Sequence, residues 1–410
     1  MWGTVYTGES MRGMRKYRFS SKAQDPRVLC VSNRDFAPVV SRCLRYEFED
    51  LVGAMDSVDV IAPADTPDPE AADTPAQNAT RTLRRLAAKI QRRFSVKLES
   101  RLPLAGRRRL PSDMARDYEL LFVSTQTPAD LYNFSPCSMW LSTARVSMCY
   151  IEELYAPDVP GLGSLVDILK QFDHILLGER DTVKPLAEAT GRPCHFLAPS
   201  TDTIKFCPYP GAPTRVIDFY AMGASRRPEI HDAFLRMANE RDWYYAYDTM
   251  GNARVSSHTE HRTRLADMIK RSRFFVVTAA RWYDPERTGG QQELGLRYFE
   301  GAAGGAVLVG DVPRNDSFEE YFGWQDSVIP LPLDCEGAVD VIAELDADPT
   351  RLERVSKTNV VNSLRRHDHV YRWGQILSIA ALPETDTMMD RRRELEQLAA
   401  SLEQTMLGTQ

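Results

Sequence analysis

The chain has 410 residues, 43% of them apolar and 26% charged, with a formal net charge of −6. That length exceeds one ordinary core, so two domains are expected, and so mild a charge does not point to nucleic acid as a partner. No apolar run approaches the roughly 20 residues of a membrane span, and the seven scattered cysteines form no C-x-x-C pair, which fits thiols in a reducing cytosol better than a disulfide framework or a zinc site.

Residues 1–26 carry Arg12, Arg15, Lys16 and Arg18 without the apolar stretch of a secretory signal, and read as a mobile tail. Arg27–Asn33 (RVLCVSN) is a short apolar run suited to a buried parallel strand. A helical stretch follows, with Phe36, Val39, Val40, Cys43, Leu44 and Phe48 three or four apart, and then Val58–Ala62 reads as a second strand. Residues 63–79, rich in Pro, Ala, Asp and Thr, have linker composition. In residues 80–98, Leu83, Leu86, Ile90, Phe94 and Leu98 recur at helical spacing among seven Lys and Arg side chains, a basic amphipathic helix that Arg107–Arg109 extend in charge.

The strand–helix rhythm resumes with strands at Tyr118–Ser124, Ala144–Ile151 and Phe172–Leu177, and a helix at Asp181–Thr190 that Gly191 closes. A short strand at His195–Ala198 precedes a proline-rich stretch, Thr203–Pro213, where the domain boundary is expected. Beyond it come strands at Arg215–Tyr220, Trp243–Tyr247, Arg273–Thr278 and Ala306–Gly310, with helices at Pro228–Arg241, Glu260–Arg271 and Gly295–Gly304. The expected organisation is an N-terminal Rossmann-like domain over 27–206, a C-terminal one over 213–370, and helices over 371–410 that pack back on the first domain or mediate self-association. In such α/β sheets ligands sit at the carboxyl ends of the strands, so the cleft between the domains is the expected site.

The segment richest in chemistry is Gly289–Asp311, GGQQELGLRYFEGAAGGAVLVGD. A glycine-containing loop enters a helix, and a glycine pair links the helix to an apolar strand. The backbone N–H groups of Gly295 and Leu296 would stand at a helix N-terminus, where anions are favoured. Glu300, a little over one turn later, is a carboxylate that can accept hydrogen bonds from a ribose diol.

GLRYFEGAAGGAVLVGD closely resembles the donor-site segment of GT-B glycosyltransferases of the group 1 type, and more narrowly the branch related to CgeB-type spore-maturation proteins, which reads R-x-F-E-x-x-A-x-G. Phe318–Phe322, Asp326–Pro332 and Arg365–Leu377 suit the same branch, as do Phe196–Pro208 and Val216–Leu235 upstream, so the likeness spans 170–380. It implies a GT-B fold of two Rossmann-like domains facing across a cleft. It implies a hexosyltransferase-type enzyme that moves a sugar from a nucleotide diphosphate sugar to a hydroxyl of a saccharide or glycoconjugate, with no cofactor or metal and with retention of configuration. Glu300 matches the second of two glutamates that the family places eight positions apart. Counting back eight reaches Gln292, with Glu293 one place later, so the first role falls to Glu293 by a slipped loop or to Gln292 by hydrogen bonding. Arg226 and Arg227, after Gly223 in the first donor-domain loop, are implied to neutralise the diphosphate, with Arg297 a second candidate. The implied catalytic residues are therefore Glu293 and Arg226.

Plainer readings stand beside these. Arg297 has Glu293 within pairing distance on one helical face. His367 and His369 suit structural packing better than ligation, and Glu152–Glu153 suits a helix start. Asn33 and Arg34, at the end of the first strand, are candidates for the acceptor side. The basic helix suits a solvated face first and peripheral docking on an anionic membrane second, in an otherwise cytoplasmic protein. Two other functions share the pattern: an inactive GT-B shell that binds a nucleotide or glycan, favoured by Gln292, and a nucleotide-sugar epimerase.

Overall fold

The computed structural model describes residues 14–17, 26–34, 40–63, 117–134, 141–223, 226–247 and 257–407. The expected linker beyond Pro63, the basic helix 80–98, Arg107–Arg109 and most of the expected tail lie outside these residues. The chain forms two compact units, one of Met1–Pro38 with Ser57–Phe196, the other of Val39–Asp56 with Leu197–Gln410.

The first unit is built on seven strands: β1 (Met14–Tyr17), β2 (Val28–Val31), β3 (Val58–Pro63), β4 (Tyr118–Thr125), β5 (Ala144–Ile151), β6 (His174–Leu177) and β7 (Cys194–Phe196). They lie in the order β1-β3-β2-β4-β5-β6-β7, and all pairs but the first are parallel. The chain runs from β2 outward to β3 and then returns to the other side of β2 as β4, so the winding reverses between β2 and β4. The central strands read as unbroken apolar runs because helices cover such sheets on both faces; Val28, Leu29, Val31 and Leu120 are fully buried. β1 corrects the reading of residues 1–26 as a tail. It pairs antiparallel with β3, Met14 opposite Pro63, and closes an edge that would otherwise stand open. Edge pairing of this kind runs through backbone groups, which hydrophobic patterning does not reveal.

The second unit has five parallel strands: β8 (Ile217–Ala221), β9 (Tyr245–Tyr247), β10 (Ser272–Val277), β11 (Val307–Gly310) and β12 (Ile329–Pro330), in the order β12-β11-β10-β8-β9. The winding reverses between β8 and β10, the counterpart of the reversal in the first unit. Both units are thus doubly wound and Rossmann-like. Local signals set the helices. Pro228 opens Pro228–Arg241 and Asp242 ends it with φ +54. Ser257 caps His258–Lys270 by accepting from the Glu260 amide. Helix Leu296–Ala303 packs tightly on the sheet at Gly301, where an added Cβ would stand 2.5 Å from side-chain atoms of Phe275 and Leu308.

Three segments group differently from the expected boundary, the first being residues 197–206, which fall in the second unit. Helix Cys43–Met55, read as the crossover of the N-terminal domain, belongs by its contacts to the second unit. Glu47 and Glu49 are as buried as Phe48, so a charged face of this helix is covered as well as an apolar one. The C-terminal helices, His369–Ile379 and Asp386–Leu407, also pack within the second unit rather than on the first. Trp373 Nε1 donates to Asp56 at 2.9 Å and Thr385 Oγ1 to the Met55 carbonyl at 2.6 Å, so they meet the Cys43–Met55 helix in the unit it has joined. Leu395 and Leu402 are buried there. No helix among the described residues is long and apolar enough to cross a membrane.

Candidate functional site

The carboxyl ends of β8, β10 and β11 open into a pocket in the second unit. It sits where the winding reverses, the place at which open α/β sheets leave a crevice for ligands. Ala221, Met222 and Gly223 run off β8, Val277 and Thr278 off β10, and Gly310 and Asp311 off β11. Gly310 has φ +140, and an added Cβ would lie 2.0 Å from the Val277 carbonyl, so only glycine lets the two strand ends close on each other here.

Three of the lining side chains are arginines, Arg226, Arg227 and Arg297, against a single carboxylate, Asp311. Arg227 is held on two sides. Its Nε and Nη2 donate to Asp311 at 3.0 and 2.8 Å, and its guanidinium lies 4.3 Å from the centre of the Trp282 ring. Arg226 lies 5.0 Å from the centre of the Tyr247 ring. The rest of the lining includes aromatic and aliphatic side chains: His231 meets the Tyr245 hydroxyl at 2.9 Å, and Ile230, Leu331 and Leu333 also line the pocket. A pocket that combines excess positive charge with apolar surface suits a ligand with an anionic part and a flat or apolar part.

Residues 214–378, which contain every residue of this pocket, match the model of a family described as glycosyl transferase-like. No curated protein matches the chain. Among solved structures, that of Anabaena Alr3699/HepE in complex with UDP is 12% identical, with a TM-score of 0.49 over 87% of this chain and 99% of that one. A glycosyltransferase from Rickettsia africae ESF-5 is 10% identical, with a TM-score of 0.46 over 87% and 98%. An alpha,alpha-trehalose-phosphate synthase (UDP-forming) from Burkholderia vietnamiensis is 12% identical, with a TM-score of 0.49 over 88% and 97%.

The structure gathers four of the residues singled out in the sequence, Gly223, Arg226, Arg227 and Arg297, around one pocket. Gly295 and Leu296 are half-buried at the start of their helix, where Gly295 stands close to the carbonyl of the pocket residue Thr278. Glu300 is placed differently from a ribose acceptor lining the pocket. It is 1% exposed, and its two oxygens accept from Arg262 and Arg297. Burial alone would raise its pKa, but Arg297 and Arg262 hold it below the usual carboxylate range. Arg297 accordingly pairs with Glu300 and not with Glu293. Glu293 is buried in the loop before the helix, where it accepts from Gln291 at 3.1 Å, and Gln292 is exposed; neither lines the pocket. Asn33 and Arg34 lie at the end of β2 in the first unit, both buried.

His367 and His369 are packing residues. His367 is bonded to the Tyr321 carbonyl at 2.9 Å, and burial, then Arg372, push its pKa down to about 3. His369 meets Ser200 Oγ at 2.8 Å.

The sequence reading missed Arg262, Glu47 and Asp311. Arg262 shares a helical face with Leu265 and Ile269, and Glu47 lies between Leu44 and Phe48 on a buried stripe. A charge on an apolar stripe is the signal that was available, because such residues are rarely buried unless paired.

Proposed function

We propose that this chain is a glycosyltransferase that binds a nucleotide diphosphate sugar in the pocket of its C-terminal unit and passes the sugar to a hydroxyl of a saccharide or glycoconjugate. The observation that carries the reading is the placement of three arginines at the winding reversal of a parallel sheet, inside the segment that matches the glycosyl transferase-like family. In the transfer, the bond from the anomeric carbon to the diphosphate oxygen breaks with its electron pair going to that oxygen, the acceptor oxygen bonds the carbon, and the acceptor proton passes to the departing diphosphate. Negative charge grows on the departing diphosphate. Arg226 and Arg297 stabilise it from the pocket wall, and the N-terminus of helix Leu296–Ala303 adds its dipole. Arg227, fixed by Asp311 and Trp282, supplies a charge that needs no reorganisation. The apolar lining around Tyr245 and Leu331 takes the base. Arginines in these positions assign charge neutralisation to side chains, so activity should persist in EDTA. The acceptor is assigned to the first unit, at the carboxyl edge near Asn33 and Arg34, and the GT-B arrangement with retention of configuration belongs to the same reading.

The test is thermal unfolding of the purified chain with UDP, GDP, ADP and TDP and their sugars. A ligand at 100 times its Kd adds about 2.7 kcal/mol of stability. A shift with one nucleotide that disappears in Arg226→Ala supports the site, and no shift with any of them overturns it. Proton NMR of the product anomer then reads the stereochemistry. A second reading, a binding module without transfer, is favoured by one observation: Asp311, the only carboxylate lining the pocket among the described residues, is already committed to Arg227. Nucleotide binding without any sugar transfer across an acceptor panel would select it.

A further inference from the structure

Behind the pocket runs a line of alternating charges. Lys205 Nζ donates to Glu47 Oε1 at 2.6 Å, Glu47 Oε2 accepts from Arg262 Nε at 2.9 Å, Arg262 Nη1 donates to Glu300 Oε1, and Glu300 Oε2 accepts from Arg297. The three inner members, Glu47, Arg262 and Glu300, are 3%, 1% and 1% exposed, while Arg297 at the far end is 34% exposed and lines the pocket. The members come from separate parts of the second unit: helix Cys43–Met55, helix His258–Lys270 and helix Leu296–Ala303. Arg262 joins them, and its remaining nitrogen, Nη2, donates to Thr201 Oγ1 at 2.9 Å.

We infer that Glu47 and Arg262 are positioning residues which act on the pocket through Glu300 and fix the guanidinium of Arg297 where it meets the ligand. Arg297 sits on a flexible stem in the first turn of its helix, and an arginine left free would share its time among many rotamers. Glu300 restrains it, and Glu300 is itself held by Arg262. Two buried carboxylates would repel each other and draw protons if Arg262 were absent. Against the effect of burial, Arg297 and then Arg262 hold Glu300 below the usual carboxylate range, and Arg262, with His369 and Lys205, does the same for Glu47. The line therefore keeps Glu300 negative, and a negative Glu300 is what aims Arg297. Helix Cys43–Met55, separated in sequence from the rest of the second unit by residues 57–196, thereby takes part in organising its pocket.

This inference rests on the proposed nucleotide site, and two readouts separate them. The first is a double-mutant cycle by calorimetric titration of UDP, GDP, ADP and TDP. Glu47→Gln, a near-isosteric change, should weaken binding of the nucleotide that binds wild type by about fivefold, a typical coupling within one ion-pair network. In an Arg297→Met background the same change should have no effect. An equal loss in both backgrounds, or no loss in either, overturns the inference. The second readout needs no nucleotide: the rate of phenylglyoxal modification of Arg297, followed by peptide mass spectrometry. Glu47→Gln should change that rate while the rate at Arg226 stays at the wild-type value. An unchanged rate at Arg297 overturns the positioning role. A changed rate in a chain that binds none of the four nucleotides keeps the positioning role and sinks the nucleotide reading alone. If Glu47→Gln fails to fold, Thr201→Val, which removes one acceptor from Arg262, replaces it in both measurements.

Discussion

The two units share one winding and differ in what they place at its carboxyl edge. In the first, β2, β5 and β6 run out, among the described residues, into Asn33 and Arg34, Glu152 and Glu153, and Glu179 and Arg180, so three carboxylates stand beside two arginines. In the second, the equivalent edge carries Arg226, Arg227 and Arg297 against Asp311. A doubly wound sheet supplies a crevice and strand ends to line it; the side chains at those ends decide which ligand the crevice takes. One topology, used twice in one chain, therefore carries an arginine-rich edge in the second unit and an edge of mixed charge in the first.

The change expected to act most strongly bears on how the cationic edge is built. Arg262→Met removes the partner shared by two buried carboxylates, leaving Glu47 with Lys205 and Glu300 with Arg297, and should cost about 3–5 kcal/mol in urea unfolding, the range for breaking a buried pair. A loss under about 1 kcal/mol, the size of an exposed pair, would mean that the line of charges is solvated and organises nothing. Next comes the contrast itself. Arg297→Met should lower kcat/KM by about 100-fold, as loss of one preorganised donor to developing charge does, while Asn33→Ala should leave nucleotide affinity at the wild-type value and raise the acceptor KM. Nucleotide affinity lost equally in the two variants would abolish the division of labour between the edges.

A third experiment sharpens the comparison through pH. His261, one residue before Arg262, is 2% exposed, and neither ring nitrogen has a hydrogen-bond partner among the described residues. Burial, and then the Arg262 charge, push its pKa down to about 4. The unfolded chain takes up a proton near the ordinary pKa of 6.5, which the folded chain refuses, so stability is full above that value and falls as pH drops from about 6.5 toward 4. The loss from this group is at most about 3 kcal/mol. His261→Gln should flatten that part of the stability curve, read by urea unfolding at pH 7 and pH 5, and an unchanged slope would mean that His261 titrates normally. The smallest effect is expected at Gln292→Ala. Gln292 is exposed and lies outside the pocket lining, so nucleotide affinity should stay within about twofold of wild type, the scatter of surface substitutions. A larger loss would return the loop before helix Leu296–Ala303 to the site.

Much of this was legible in the sequence. Alternating apolar runs and helical stripes located most strands and helices of both sheets, because burial on both faces of a parallel sheet leaves a continuous apolar signature. Gly191 closing its helix in a left-handed turn was readable from one residue. Arg226, Arg227 and Arg297 were singled out on the resemblance of their segments to GT-B glycosyltransferases, and all three line one pocket. The surroundings of Glu300 were not legible for a definite reason. Its spacing from the loop was visible, but its partner Arg262 lies 38 positions away on another helix, and pairing at that distance leaves no local pattern.

The sequence by itself thus determined the α/β class, the two sheets and the arginines of the second. Three things were left to tertiary structure. The antiparallel strand Met14–Tyr17 forms through backbone pairing, which carries no side-chain periodicity. Helix Cys43–Met55 sides with the second unit because Glu47 and Asp56 find their partners there, Arg262 and Trp373, more than 200 residues downstream. The ionised, inward-facing state of Glu300 depends on two arginines converging on one buried carboxylate, and only the folded chain brings those charges together.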